Sequence, residues 1–127
     1  MKNNRPGGIT LLSMASMSWP ITAISSILHR ITGVLLVALV PLTLWVLEKS
    51  LSSQADFNYV KSLLETSLAK FILWAILSML AYHIIAGFRH IFMDAGIGES
   101  LEGGRLGAQL SIALGLISAV SLGVWIW

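Results

Sequence analysis

The sequence contains no cysteine. That absence excludes disulfides, thiolate metal sites, ligation of an iron–sulfur cluster by this chain and covalent c-type haem attachment. Charge is scarce as well. Asp, Glu, Lys and Arg make up 11% of the 127 residues, where a soluble domain carries about 25%. So few charges cannot cover a water-exposed surface. The basic residues exceed the acidic ones by only two and form no patch, which removes support for nucleic-acid binding. No internal repeat or low-complexity tract occurs. The N-terminal stretch MKNNRPGGITLLSMASMSW has basic residues but no compact apolar core followed by a small-residue cleavage site. It reads as a retained segment, not a signal peptide.

What the chain does have is hydrophobic sequence, 56% of all residues, gathered in three stretches. Residues 31–47, 71–88 and 106–127 carry no formal charge and run for 17, 18 and 22 residues. A membrane span needs about 20. The predicted organisation is one all-α membrane domain over 1–127. It comprises an N-terminal segment over 1–20 and transmembrane helices over about 21–48, 66–92 and 106–127. Pro20 is well placed to start the first helix, and Pro41 lies inside it, where neighbouring helices must satisfy the freed carbonyl. The connection EKSLSSQADFNYVKS holds a short amphipathic helix around 57–64, and DAGIGESLEGGR reads as a loop. The C-terminal WIW is an interfacial aromatic anchor. With the N-terminus inside, Lys2, Arg5, Arg30, Arg89 and Arg105 lie on the inner side, and Lys49, Lys61 and Lys70 lie outside. This distribution favours N-terminus in, C-terminus out.

Two polar clusters interrupt the apolar helices. In ITAISSILHRITGV, steps of three and four put Thr22, Ser26, His29 and Gly33 on one helix face, with Arg30 beside Ser26. Arg30 precedes Leu47 by about 25 Å of helix, which puts it near the inner hydrocarbon boundary. Two readings fit. One is a snorkelling arginine next to a backbone-bonded serine. The other is a polar pocket in which a hydroxyl and a guanidinium hold a carbonyl ligand and its developing anion. In AYHIIAGFRHIFMD, residues His83, Gly87, His90 and Asp94 line one stripe. Gly87 leaves room for a flat group or for a neighbouring helix. His83 lies about 9 Å deeper than Arg89. At that depth it either hydrogen-bonds to another helix or ligates a haem or metal, because an ionisable residue within a span is rare and usually purposeful. His90 is a snorkelling residue or a cofactor contact, and Arg89 and Asp94 mark the membrane exit. The first helix begins inside and the second ends inside, so both clusters belong to the same half of the membrane.

The residues that carry these clusters resemble a known family. An Arg-Pro near the start, SWPITAISSILHRITGVLL and AYHIIAGFRHIFMDAG are similar to the cytochrome b membrane-anchor subunit of succinate dehydrogenase, the succinate:quinone oxidoreductase of complex II. The combination of S-x-x-H-R-x-[ST]-G with H-x-x-x-G-x-R-H-x-x-x-D about 50 residues later carries the resemblance, which covers essentially the whole chain. One stretch departs: GGITLLSMASMSW stands where many members have SPHLxIY, and no role is carried over to it.

The resemblance implies a three-helix subunit forming half of a heterodimeric haem-binding anchor bundle in a bacterial inner membrane. A second anchor subunit, an iron–sulfur subunit and a flavoprotein subunit would be its partners. Succinate oxidation would then belong to the partners, which hold the FAD and the iron–sulfur clusters, so that no catalytic residue for it lies in this chain. Ser26 and Arg30 match the family's quinone-site serine and arginine. His83 matches the axial ligand of haem b, with the second histidine coming from the partner anchor. His29, and less directly His90, match positions near the haem propionates and the quinone pocket. The substrate reduced at this site would be ubiquinone. Two alternatives are the anchor of a related fumarate reductase and, in a different class, a non-haem structural or transport subunit in which His83 packs or relays protons.

Overall fold

The computed structural model describes residues 19–127, and these form four helices. Helix α1 is Ile21–Ser52, α2 Gln54–Leu64, α3 Ser67–Asp94 and α4 Leu101–Ile126. The described residues contain no strand. The expectations placed on the N-terminal segment, including Lys2, Arg5 and the Arg-Pro pair, fall on residues 1–18 and lie outside the described residues. Helices α1, α3 and α4 are long and apolar enough to cross a membrane, which makes the chain an all-α, multi-pass membrane protein. At about 1.5 Å per residue each exceeds the roughly 30 Å hydrocarbon thickness, so their ends reach into the headgroup layers or the helices tilt.

Local chemistry sets the helix ends. The backbone of Pro20 is extended and its carbonyl accepts from Ala23 and Ile24. Ser53, Thr66 and Ser100 each accept a hydrogen bond from the backbone N–H three residues ahead, at 3.0, 3.3 and 3.0 Å. These hydroxyls satisfy donors that a helix start leaves orphaned. Helix α3 ends in a left-handed turn. Gly96 has φ +82°, its N–H donates to the Met93 carbonyl, and the Ile97 N–H donates to the Phe92 carbonyl at 2.8 Å. This is the Schellman pattern, and only glycine takes the positive φ without strain.

The α3–α4 connection is shorter than expected, because α4 starts at Leu101, five residues before the expected 106. Gly103 and Gly104 are poor helix formers, yet both are helical. Ser100 caps the turn, and Glu102 sits in the first turn, where a carboxylate complements the helix dipole. Gly103 also packs tightly against the turn: a Cβ there would stand 2.9 Å from the Gly98 Cα. Helix α2 is longer than expected, beginning at Gln54 rather than 57. It folds back on α1 with Val60 buried and with Lys49 and Asp56 paired at 3.5 Å.

Small residues hold the three long helices together. On α4, Gly104, Ala108, Ser111 and Gly115 form a buried stripe at steps of four, three and four. Large α3 side chains lie across it or beside it. The Tyr82 ring meets Gly115, Arg89 crosses Gly107, and the Trp74 Nε1–H donates to the Ala119 carbonyl at 2.8 Å. Lipid tails are as apolar as leucine, so close van der Waals packing and interhelical hydrogen bonds must do the joining. The outer surface is correspondingly apolar, with Val34, Val37, Val120 and Val124 about 70% exposed or more. Among the described residues, the buried apolar set is only Val60, Ala86 and Ala108.

Candidate functional site

The site grows from the crossing of α1 and α3. Each helix supplies a glycine opposite a histidine of the other. A Cβ on Gly33 of α1 would come within 2.9 Å of the His83 Cε1, and a Cβ on Gly87 of α3 would stand 3.6 Å from the His29 Nε2. The space that Gly87 leaves is therefore taken up by His29, an interhelical filling that its position in the stripe had left open. The two imidazoles stack, with centroids 4.1 Å apart and planes 14° from parallel. His90 lies about two turns beyond His83 on α3, and its ring centroid is 5.0 Å from that of His29 at a tilt of 48°. The three histidines of the chain thus form one cluster.

The His83 Nδ1 is held from α1. It lies 3.1 Å from the His29 carbonyl oxygen and 3.1 Å from the Thr32 hydroxyl. A carbonyl can only accept, so Nδ1 carries the proton and donates. In the neutral ring Nε2 then holds the free lone pair. Thr32 is buried and also lies 2.9 Å from both the Leu28 and the His29 carbonyls.

One turn N-terminal to the histidines, Ser25 is fully buried. The Tyr82 hydroxyl donates to its carbonyl at 2.9 Å and lies 3.2 Å from its Oγ. With its ring on Gly115, Tyr82 joins α1, α3 and α4. Ser26 and Arg30 occupy the adjoining face of α1, one turn apart. Ser26 is half-buried and Arg30 is exposed beside Ile31, Val34 and Leu35. Neither makes a hydrogen bond or ion pair among the described residues.

Arg89 belongs to a different surface. Its Nη2 donates to the Gly104 carbonyl at 3.3 Å, and it borders an apolar cleft of about 580 Å³ between α3 and α4. Pro20 and Thr22 share a smaller cleft with Leu101 and Arg105. The start of α1, the end of α3 and the start of α4 accordingly lie at one end of the bundle. The histidine cluster and the Ser26–Arg30 face are at that end.

The donor set limits what could be held here. No group of three or more His, Asp or Glu side chains among the described residues is arranged around a common metal position. Stacked rings cannot point their nitrogens at one ion. A haem iron asks less of this chain, a single imidazole nitrogen. His83 fits that demand, because its Nδ1–H is bonded to a carbonyl, as in metal-bound histidines generally. Sequence reasoning passed over Thr32, Ser25 and Tyr82 as site residues. Thr32 occupies the hydroxyl position of S-x-x-H-R-x-[ST]-G. Ser25 and Tyr82 sit one residue away from Ser26 and His83, a rotation of about 100° that spacing alone does not resolve.

Comparison with known proteins adds the following. Residues 1–122 match the family described as succinate dehydrogenase/fumarate reductase transmembrane subunit. The chain is 36% identical over 117 residues to the succinate dehydrogenase cytochrome b556 subunit of Coxiella burnetii, covering 91% of this chain and 94% of that protein. It is 38% identical over 101 residues to the protein of the same name from Paracoccus denitrificans, covering 80% and 78%. A Rickettsia prowazekii protein of that name is 38% identical over 82 residues, covering 65% and 63%.

Proposed function

The chain belongs to the family of succinate dehydrogenase/fumarate reductase transmembrane subunits, and on that premise we propose that its histidine cluster binds one side of a haem b and that Ser26 and Arg30 face the quinone. It is a membrane-anchor cytochrome b subunit of the succinate dehydrogenase complex. The relatives' names favour succinate oxidation over fumarate reduction as the working direction. The proposed partners are a second anchor subunit, which would supply a second histidine to the haem, and the iron–sulfur and flavoprotein subunits that oxidise succinate. The proposed location is a bacterial inner membrane, with the N-terminus and the α3–α4 turn inside.

The observation that carries the haem reading is the state of His83. It is an intramembrane histidine whose Nδ1–H is donated to a backbone carbonyl and whose Nε2 makes no hydrogen bond among the described residues. A haem held by His83 and a histidine of a partner subunit would supply one-electron transfer. This chain's own residues hold and orient. Gly33 admits the imidazole, the His29 carbonyl fixes its tautomer, and His29 and His90 would offer polar contacts to the haem propionates. At the quinone, the Ser26 hydroxyl donates to a carbonyl oxygen, and the Arg30 guanidinium stabilises negative charge as that oxygen is reduced.

The test is the spectrum of the assembled complex carrying His83→Ala. The expected result is loss or marked weakening of the b-type haem bands. An unchanged spectrum and haem content would remove His83 as the ligand. A wild-type complex with no such bands would favour a non-haem structural or transport subunit.

A further inference from the structure

The mechanism above uses His83 but leaves unexplained a buried hydroxyl aimed at it. Thr32 is 8% exposed in a helix whose outer faces are apolar. Its Oγ1 lies 2.9 Å from two carbonyls of its own helix, those of Leu28 and His29. A threonine in a helix commonly bonds back to such carbonyls, and that alone would satisfy its single proton. The same oxygen, however, also stands 3.1 Å from the His83 Nδ1, across the interface between two helices.

We propose that Thr32 is a positioning residue for His83, accepting part of the Nδ1 proton so that the ring's orientation and the basicity of Nε2 are set from α1. The inference rests on the reading of His83 as the axial ligand. The hydroxyl has one proton and two lone pairs. Donating to the Leu28 or His29 carbonyl spends the proton and leaves a lone pair directed at His83. The Nδ1–H is then shared between two acceptors at equal distance, the Thr32 Oγ1 and the His29 carbonyl oxygen. Two acceptors on one helix define a direction, where one would leave the ring free to pivot. The remaining freedoms are closed by Gly33, whose Cα side the ring edge approaches, and by His29 stacked on its face. Such partners hold the tautomer and raise the donor strength of the ligating nitrogen.

Thr32→Val keeps the shape and removes the acceptor. In the complete complex we expect assembly with haem present, a haem midpoint potential moved to a more positive value and an altered low-spin ferric EPR spectrum, which reports the orientation of the axial imidazole planes. Haem transfer to added apomyoglobin should be about tenfold faster, the lower end of the usual effect of removing an outer partner of a ligating histidine. Thr32→Ser keeps the acceptor and should restore all three. Thr32→Ala serves as the second acceptor-free variant.

Unchanged potential, EPR spectrum and haem release in Thr32→Val would overturn the proposal, as would failure of Thr32→Ser to restore them. Misassembly of both the Val and Ala variants would also overturn it, by making Thr32 a packing residue. The His83→Ala complex separates the two levels. If it keeps haem, the ligand assignment itself fails. If it loses haem while Thr32→Val is silent, only the positioning role fails.

Discussion

At the scale of residues, the site divides a polar load between two faces of α1. His29 and Thr32 turn toward α3 and are held there, whereas Ser26 and Arg30 turn away and make no hydrogen bond or ion pair among the described residues. Groups already bonded within the protein position a neighbour at little further cost, and groups left unbonded are available to a ligand. Ser26→Ala removes one donor, and Arg30→Leu removes a charge that hydrogen-bonds an ionising oxygen. A hydrogen bond to a charged group is worth about 1.5–3 kcal/mol, roughly 10- to 100-fold in rate if it is made only as charge develops. Succinate–quinone activity should fall by about that factor in Arg30→Leu and by less in Ser26→Ala. Succinate oxidation by a soluble dye should be preserved. Equal losses in both assays would point to an assembly defect and count against the quinone role.

Elements join in this protein where glycine lets a large side chain approach. Gly115 carries the Tyr82 ring, and a Cβ there would stand 2.7 Å from Cδ2. Tyr82 cannot retreat freely, because its hydroxyl is bonded to the Ser25 backbone at 2.9 Å. Gly115→Ala should therefore force α4 away from α3 or break the Tyr82–Ser25 bond. Overpacking of this kind costs about 1–3 kcal/mol, visible as a lower melting temperature of the detergent-solubilised complex. Gly123→Ala is the control. Its Cβ would meet the Trp74 Nε1 at 3.4 Å, which a small shift accommodates, so little change is expected.

For the whole molecule, the decisive feature is how little of it is interior. Three long helices leave most of their apolar side chains on the outside, and the histidine cluster lies between two of them. Lipid covers part of that surface, and the proposed anchor partner would cover another part. Haem shared by two chains would bind the assembled pair and not the separated ones, and a ligand present at 100 times its dissociation constant stabilises by about 2.7 kcal/mol. Complex prepared from haem-depleted cells should melt at a lower temperature and lose its anchor subunits to protease sooner. Equal melting with and without haem would contradict a bridging role. The orientation has its own test, made simple because the chain has no cysteine. Ala55→Cys in α2 should react with a membrane-impermeant maleimide from the outer side, and Glu99→Cys in the α3–α4 turn from the inner side. The reverse pattern would invert the topology.

The three spans, the all-α class and the two polar clusters were legible in the linear chain, because hydrophobic run length and helical spacing are local properties that survive whatever the helices pack against. The names of haem and quinone came from resemblance, since spacing alone left His83 between ligand and packing residue. Pairing was not legible. Which histidine faces which glycine depends on the rotation of one helix against another, and a single residue step turns a side chain by about 100°. Ser25 rather than Ser26 is buried, Tyr82 rather than a histidine ties the three helices, and Thr32 meets His83, all for that reason. The early start of α4 through Gly103 and Gly104 has a local origin instead. Propensity opposed a helix there, and a cap at Ser100 with close packing against Gly98 outweighed it.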